Sequence, residues 1–140
     1  MSYGLWFDAH AKKHKSIIDK LLACGSSKEQ IIEYFVFENM VKNEPDFCPL
    51  FAQNKKCHAM QELNCYLCAC PNFRFDDEGI KKVDDKTQYS YCSIDSKEGS
   101  LGVYGQAIHQ DCSACTVPHA GDYVRKHFDL DWKKIMKNCR

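Results

Sequence analysis

Three cysteines of this chain fall within six residues, and a proline follows them at once, in the segment Cys65-Tyr66-Leu67-Cys68-Ala69-Cys70-Pro71. Cys65 and Cys68 are separated by two residues, and so are Cys112 and Cys115. This spacing lets a tight turn bring two sulfurs to one metal, and two such pairs are more specific than one. We predict a metal or cluster site whose ligands are Cys48, Cys57, Cys65, Cys68, Cys70, Cys92, Cys112 and Cys115.

Whether these ligands form one site or two depends on Cys68 and Cys70, which only Ala69 separates. In bacterial ferredoxins, the cysteine immediately before a proline ligates a different cluster from its neighbours. Because Pro71 follows Cys70, we hypothesise that Cys68 and Cys70 serve different sites. Eight cysteines suffice for two sites of four thiolates each.

The ligand types alone do not choose the metal. Zinc and iron–sulfur clusters are both bound by four thiolates. The crowding of three cysteines before Pro71 favours one or two 4Fe–4S iron–sulfur clusters, with zinc as the alternative.

Two histidines stand close to the cysteines in sequence. His58 follows Cys57, and His119 lies four residues after Cys115. Each is either a direct ligand or a hydrogen-bond donor to a thiolate. The other four are interpreted as surface or helix residues, namely His10, His14, His109 and His127. Cys24, in a predicted turn, and Cys139, at a predicted frayed terminus, are left out of the site.

The composition argues against several broad classes of function. Nineteen basic residues balance nineteen acidic ones, which disfavours nucleic-acid binding. No apolar run is long enough to span a membrane, and the N-terminus does not resemble a secretory signal. We therefore expect a cytoplasmic protein, in which dense cysteines indicate metal ligation; a disulfide framework would require an unusual export route.

The elements that must position these residues are predicted to be mostly helical. Apolar spacing indicates a helix over residues 10–23 that ends at Gly25, and a second helix from Ser27 to Lys42. Ser27 and Gln30 form a capping box, and Pro45 closes the element. Residues 5–44 therefore read as a helical hairpin.

Regular periodicity is weak in the middle of the chain. Residues 45–75 have no sustained period, and residues 76–90 and 95–102 read as exposed polar loops. Short helices are expected at 123–128 and 131–137. We predict one domain, residues 1–140, of mainly α class with irregular, metal-stabilised loops. In it a helical hairpin (1–44) packs on a cysteine-rich metal-binding module (45–120), and C-terminal helices follow (121–140).

Residues 46–120, roughly half the chain, resemble the cysteine-rich small domain family of bacteria and archaea. The resemblance is carried by Cys57-His58, Asn64-Cys65-Tyr66-Leu67-Cys68-Ala69-Cys70-Pro71 and Asp111-Cys112-Ser113-Ala114-Cys115-Thr116-Val117-Pro118-His119. The family often has a phenylalanine-proline step before its Cys-His, where this chain has Lys55-Lys56. The resemblance implies a metal-binding module ligated by the eight cysteines, with His58 and His119 as companions. Some members of the family are fused to enzymes of corrinoid metabolism.

Three classes of function follow from these residues. The first is an iron–sulfur protein in electron transfer or redox sensing, with a protein redox or regulatory partner. The second is a structural zinc module that mediates protein–protein interaction. The third is a small metalloenzyme that uses an open coordination position. No catalytic residue is assigned, because the sequence holds no hydrolase, phosphate-loop or dinucleotide motif.

Overall fold

Six short strands accompany the helices, so the expectation of a mainly α protein is wrong. The computed structural model describes residues 3–140, of which 39% are helical and 17% are strand, a mixed α/β fold. The α-helices are α1 (Tyr3–Ala23), α2 (Lys28–Tyr34), α3 (Phe37–Asn43), α4 (Gly121–His127) and α5 (Trp132–Ile135). The strands are β1 (Phe73–Phe75), β2 (Lys81–Val83), β3 (Lys86–Gln88), β4 (Ser90–Cys92), β5 (Ser100–Tyr104) and β6 (Ala107–Asp111). Short 3-10 helices span Pro49–Gln53 and Val117–His119.

Helix α1 ends and helix α2 begins where the sequence indicates, but α1 begins at Tyr3, seven residues before the predicted start at residue 10. Gly25 follows α1 with φ +74°, a left-handed conformation that glycine adopts at little cost. At the start of α2, Ser27 and Gln30 make both hydrogen bonds of the capping box. None of the helices within residues 3–140 has the length and apolar character needed to cross a membrane.

The second predicted helix is interrupted at Val36. At this break it pairs with the segment that carries three closely spaced cysteines, residues 64–71, which is called the cysteine segment below. Val36 is extended, with φ −63° and ψ 139°, and pairs as an isolated bridge with Asn64. The amide of Cys65 donates to the carbonyl of Phe35 over 2.8 Å, and Phe37 N donates to the Leu63 carbonyl over 2.8 Å. Tertiary hydrogen bonding to the cysteine segment therefore replaces the helical bonds that the apolar spacing alone predicts.

Two small sheets occupy the region predicted to be loops. Strand β1 pairs antiparallel with β4, which places Phe73 opposite Cys92. The second sheet has the order β2-β3-β6-β5; only the β3–β6 pair is parallel. The loop assignment of 76–90 is wrong over β2 and β3, because these strands are short and polar, β2 is exposed at every position, and neither has the apolar alternation that marks a half-buried strand. The loop assignment of 95–102 is wrong from Ser100, where β5 begins; the apolar side chains of β5, Leu101 and Val103, are exposed.

A single apolar core joins the helices to the cysteine segment. It includes Phe35 and Met40 from the N-terminal helices, Tyr66 and Leu67 from the cysteine segment, and Trp132 from α5. The tyrosine hydroxyl of Tyr66 donates to the carbonyl of Asp129 over 2.6 Å, which satisfies its buried polar atom. The segment is thus fixed by burial as well as by any metal.

Two histidines that were expected to be surface or helix residues lie on α1 and point into this core. His10 is 4% exposed and His14 is fully buried. His14 Nε2 pairs with the carbonyl of Tyr66, whereas His10 Nε2 and His14 Nδ1 have no hydrogen-bond partner among the described residues. Burial lowers the pKa of His10 to about 3 and that of His14 to about 4. Both rings are neutral in the folded protein at neutral pH.

Replacing His10 with phenylalanine is expected to make the protein less sensitive to acid. Below the unfolded pKa of about 6.5, the unfolded chain binds a proton that the folded chain does not take up until about pH 3. His10 therefore does not lower the free energy of unfolding above about pH 6.5, but lowers it progressively as the pH falls below that value. By about pH 5 the free energy of unfolding is lower by about 2 kcal/mol because of this side chain, and His10→Phe removes that loss.

The measurement is urea unfolding near neutral pH and near pH 5 for wild type, His10→Phe and His127→Phe. His127 is exposed on α4 and serves as the control. All three proteins keep the same cysteines, so acid effects on metal ligation cancel in the comparison. An equal loss of stability in the three proteins would contradict the role of burial at His10.

Candidate metal centre

Four of the predicted ligands form a first group, which contains Cys48, Cys57, Cys65 and Cys68. Burial raises the pKa of Cys65, and the neighbouring thiolates of the other three raise it further. Burial also raises the pKa of Cys68 to about 12, with contributions from Cys57 and Cys48. The cysteines that act on these thiols all belong to this group.

The other four predicted ligands form a second group, which contains Cys70, Cys92, Cys112 and Cys115. Burial raises the pKa of Cys112 to about 11, and the other three members raise it further. The pKa of Cys70 is also raised, first by burial and then by Cys92 and Cys115. The raised pKa values keep the thiols of Cys70 and Cys112 protonated at neutral pH in the metal-free fold, so a bound metal would have to displace their protons.

Different structural elements bring each ligand to its group. Cys48 caps the 3-10 helix Pro49–Gln53, and Cys92 is the last residue of β4. Cys112 follows β6 directly, and Cys115 closes a turn by donating its amide to the carbonyl of Cys112 over 3.0 Å. The sheet and the helical core therefore both contribute ligands.

The two groups separate at Ala69, between Cys68 and Cys70. In an extended strand, residues two apart point to the same face. Here Ala69 and Cys70 have φ values of +93° and +70°, a left-handed turn that is unusual without glycine. The backbone amide of Ala69 opposes the rise in the pKa of Cys68, and that of Asn72 opposes the rise in the pKa of Cys70, while the Phe73 amide donates to the Cys70 carbonyl over 3.1 Å. The turn thus aims separate backbone donors at the two sulfurs.

The spacing of the sulfurs bears on the type of metal. Bonds of about 2.3 Å from zinc place the sulfurs of a tetrahedral site about 3.8 Å apart. Within residues 3–140, no three cysteine sulfurs lie within 4.8 Å of one another. A cluster binds each thiolate through a different iron and therefore needs wider spacing. In neither group are three cysteine sulfurs as close to one another as a single zinc ion would require.

Cys57 is the point where both predicted histidines converge. The ligand atoms of Cys57, His58 and His119 lie within 4.8 Å of one another. His119 Nδ1 lies 3.0 Å from the carbonyl oxygen of Asn64, and His119 Nε2 lies 3.7 Å from Cys57 Sγ. Because a carbonyl only accepts, Nδ1 carries the hydrogen. Burial lowers the pKa of His119, so its neutral ring directs the Nε2 lone pair toward the sulfur.

The same reasoning applies to His58. Its Nε2 lies 2.9 Å from the carbonyl oxygen of Cys112, and its Nδ1 lies 3.0 Å from Cys57 Sγ. Because a carbonyl only accepts, the hydrogen lies on Nε2, and Nδ1 is the nitrogen whose lone pair can face Cys57. A thiol has one hydrogen and can satisfy only one of these two lone pairs. A cation bound at this point would satisfy both, so the donor set fits a metal ion.

A cavity of about 290 Å³ lies between the two groups. Its walls include Phe73 and Trp6, which make it largely apolar. The predicted ligands that line it are Cys57, Cys68, Cys70, Cys92, Cys112, Cys115, His58 and His119. Six of the eight cysteines thus line one cavity. The other two, Cys48 and Cys65, belong to the first group and lie on the side of the helices.

Three contributors to the site were not predicted from the sequence. Ser96 Oγ lies 3.3 Å from Cys115 Sγ, in a segment predicted to be solvent-exposed. Cys139 is not frayed but buried, with its sulfur 3.6 Å from the carbonyl of Cys70. The Asn64 carbonyl orients His119. Of these three residues, only Asn64 could have been identified from the sequence, because it is the first residue of the cysteine segment.

Comparisons of the chain with protein-family profiles, with curated proteins and with solved structures found no match. The function is therefore inferred from the geometry of the site.

Proposed function

We propose that this protein holds one or two 4Fe–4S iron–sulfur clusters and serves in electron transfer or redox sensing. The observation that carries the proposal is the convergence of six of the eight cysteines on one cavity. The influence of neighbouring thiols on the pKa values of Cys65, Cys68, Cys70 and Cys112 is consistent with two sets of four. Four thiolates are the usual ligand set of such a cluster. Sulfur spacing wider than a single zinc ion requires supports the same choice.

The surrounding residues suit a redox role. A bound cluster supplies exchange of single electrons, and the chain's own part is to set how readily this occurs. Amide donors at Cys68 and Cys70 stabilise negative charge on sulfur. Phe73 and Trp6 line the cavity and limit the access of water. Both effects tune a reduction potential.

The setting of the protein is part of the proposal. All ten cysteines of the described structure are free thiols, which suits the reducing cytoplasm. A carrier or sensor of electrons needs a protein redox or regulatory partner to exchange them with. A link to the cysteine-rich small domain family, and through it to corrinoid metabolism, rests on the resemblance of the motifs alone.

Reduction of the anaerobically purified protein tests this function. We expect a brown protein whose broad visible absorption bleaches when dithionite is added and returns on reoxidation. Protein heated to destroy the fold under the same conditions is the control, because its colour should not recover. A colourless protein that retains stoichiometric zinc would overturn the proposal.

A structural zinc site at the first group is the second candidate. It is favoured by the two histidine lone pairs that face Cys57 at 3.0 and 3.7 Å. With Cys57, His58 and His119 as ligands, one further thiolate of the first group would complete a tetrahedral site. Zinc in this group is compatible with one cluster in the second group. Zinc in both groups would leave a structural module that mediates protein–protein interaction.

A further inference from the structure

A second, larger cleft adjoins the cavity between the cysteine groups. Its volume is about 600 Å³, within the range of small-molecule sites. Five of its ten lining residues are phenylalanine, tyrosine or tryptophan, namely Tyr3, Trp6, Phe7, Phe73 and Phe75. Tyr3 contacts Phe73 and Phe75 with ring centroids 5.4 Å apart in both cases. Flat aromatic walls of this kind suit a planar, apolar molecule.

The cleft is continuous with the second cysteine group. Cys112 lines both the cleft and the cavity, as do Trp6 and Phe73. The charge of the Cys112 thiolate is also among the influences that raise the pKa of Tyr3, after burial, which is the largest. A molecule in the cleft would therefore lie against a ligand of the proposed cluster.

One end of the cleft is polar and ordered by hydrogen bonds. Tyr3 Oη lies 2.6 Å from His109 Nδ1 and 3.3 Å from Ser90 Oγ. Ser90 Oγ accepts from the amide of Gln110 over 2.7 Å and keeps its own hydrogen and a second lone pair, so it can either donate to Tyr3 or accept from it. When Ser90 donates to Tyr3, the tyrosine hydroxyl donates to His109 Nδ1, the shorter of its two contacts.

In that order of donors, Nδ1 of His109 accepts and the ring hydrogen lies on Nε2. Within residues 3–140, Nε2 is paired with no acceptor. The ring is held in place because it stacks on Tyr89 at 5.4 Å, with an interplanar angle of 16°. The cleft thus combines aromatic walls with His109 at its polar end.

We propose that this cleft binds a planar aromatic carbonyl compound, whose rings lie between Trp6 and Phe73 and whose oxygen accepts a hydrogen bond from His109 Nε2. The binding of such a compound requires only the residues of the cleft. Its use as an electron-exchange partner rests on the function proposed above.

The test uses the anaerobically purified full chain, with metal content measured on the same sample. Ligand-observed NMR titrations compare 1-indanone with indane, which has the same bicyclic skeleton without the carbonyl. We expect 1-indanone to bind about ten-fold more tightly, the effect of one hydrogen bond. His109→Phe should bring the ratio of the two affinities to about one while indane still binds, which shows that the cleft is intact.

Trp6→Leu should weaken the binding of both probes by about ten-fold. Tyr91→Leu is the matched control, because Tyr91 is 39% exposed and Trp6 is 38% exposed, and Tyr91 lies outside the cleft. Equal affinity of wild type for the two probes, or binding unaffected by Trp6→Leu, would overturn this inference whatever metal is present. A protein without iron that shows the expected binding would support the cleft and count against the iron–sulfur function alone.

Discussion

Cys68→Ser is expected to remove the metal of the first cysteine group and leave the second group occupied, and Cys70→Ser is expected to do the reverse. The two sulfurs are separated by one residue, but the thiolates that act on Cys68 are Cys57 and Cys48, whereas those that act on Cys70 are Cys92 and Cys115. If both groups hold clusters, each variant should lose about half of the iron, and the double variant nearly all of it. If one group holds zinc, one variant should lose zinc and the other iron.

Metal analysis and visible spectra of the three variants measure this partition. Cys24→Ser is the matched control, because Cys24 is exposed and lies outside both groups, and its metal content should equal that of wild type. Far-ultraviolet circular dichroism confirms that α1 remains folded in each protein. A double variant that loses no more metal than either single variant would mean that Cys68 and Cys70 share one site.

Removal of metal should loosen the sheet region selectively. The helices are joined by the apolar core, but the strands β2–β6 bury few side chains, among them Gln88, Ser90 and Ile108. The ends of β4 and β6 are instead tied to the cysteine segment through Cys92 and Cys112. Structural metal sites contribute on the order of 10 kcal/mol to folding, more than this sheet's burial can replace.

Hydrogen exchange before and after chelation measures the effect. The protection of amides in β4 and β6 should fall by about a hundred-fold or more once metal is removed. The central amides of α1 serve as the internal control and should change by less than about ten-fold. Equal loss throughout the chain would show that the whole fold depends on metal. Unchanged protection in β4 and β6 would show that the cysteines do not anchor the sheet.

Much of the helical part of the fold could be predicted because its signals are local. Gly25 ends α1 and Ser27 caps α2 through contacts with residues a few positions away. The break at Val36 could not be predicted, because the bonds that cause it come from Leu63 and Cys65. The strands were missed for a related reason: their pairing depends on distant partners such as β3 with β6, and their side chains are mostly polar.

The candidate site was easier to predict in composition than in arrangement. Thiol and imidazole side chains are recognised by type and spacing, and the structure brings His58 and His119 together at Cys57. The tautomers of both rings depend on the carbonyls of Asn64 and Cys112, which no spacing rule identifies. The division of the cysteines depends on a left-handed turn at Ala69, a conformation that alanine rarely adopts.

The number of iron, acid-labile sulfide and zinc atoms per chain, measured in anaerobically purified protein, distinguishes iron–sulfur clusters from zinc. For two clusters we expect about eight iron and eight sulfide, and for one cluster about four of each, with up to one zinc in the first group. Zinc in both groups without sulfide, or a protein that retains no metal, would contradict the iron–sulfur function.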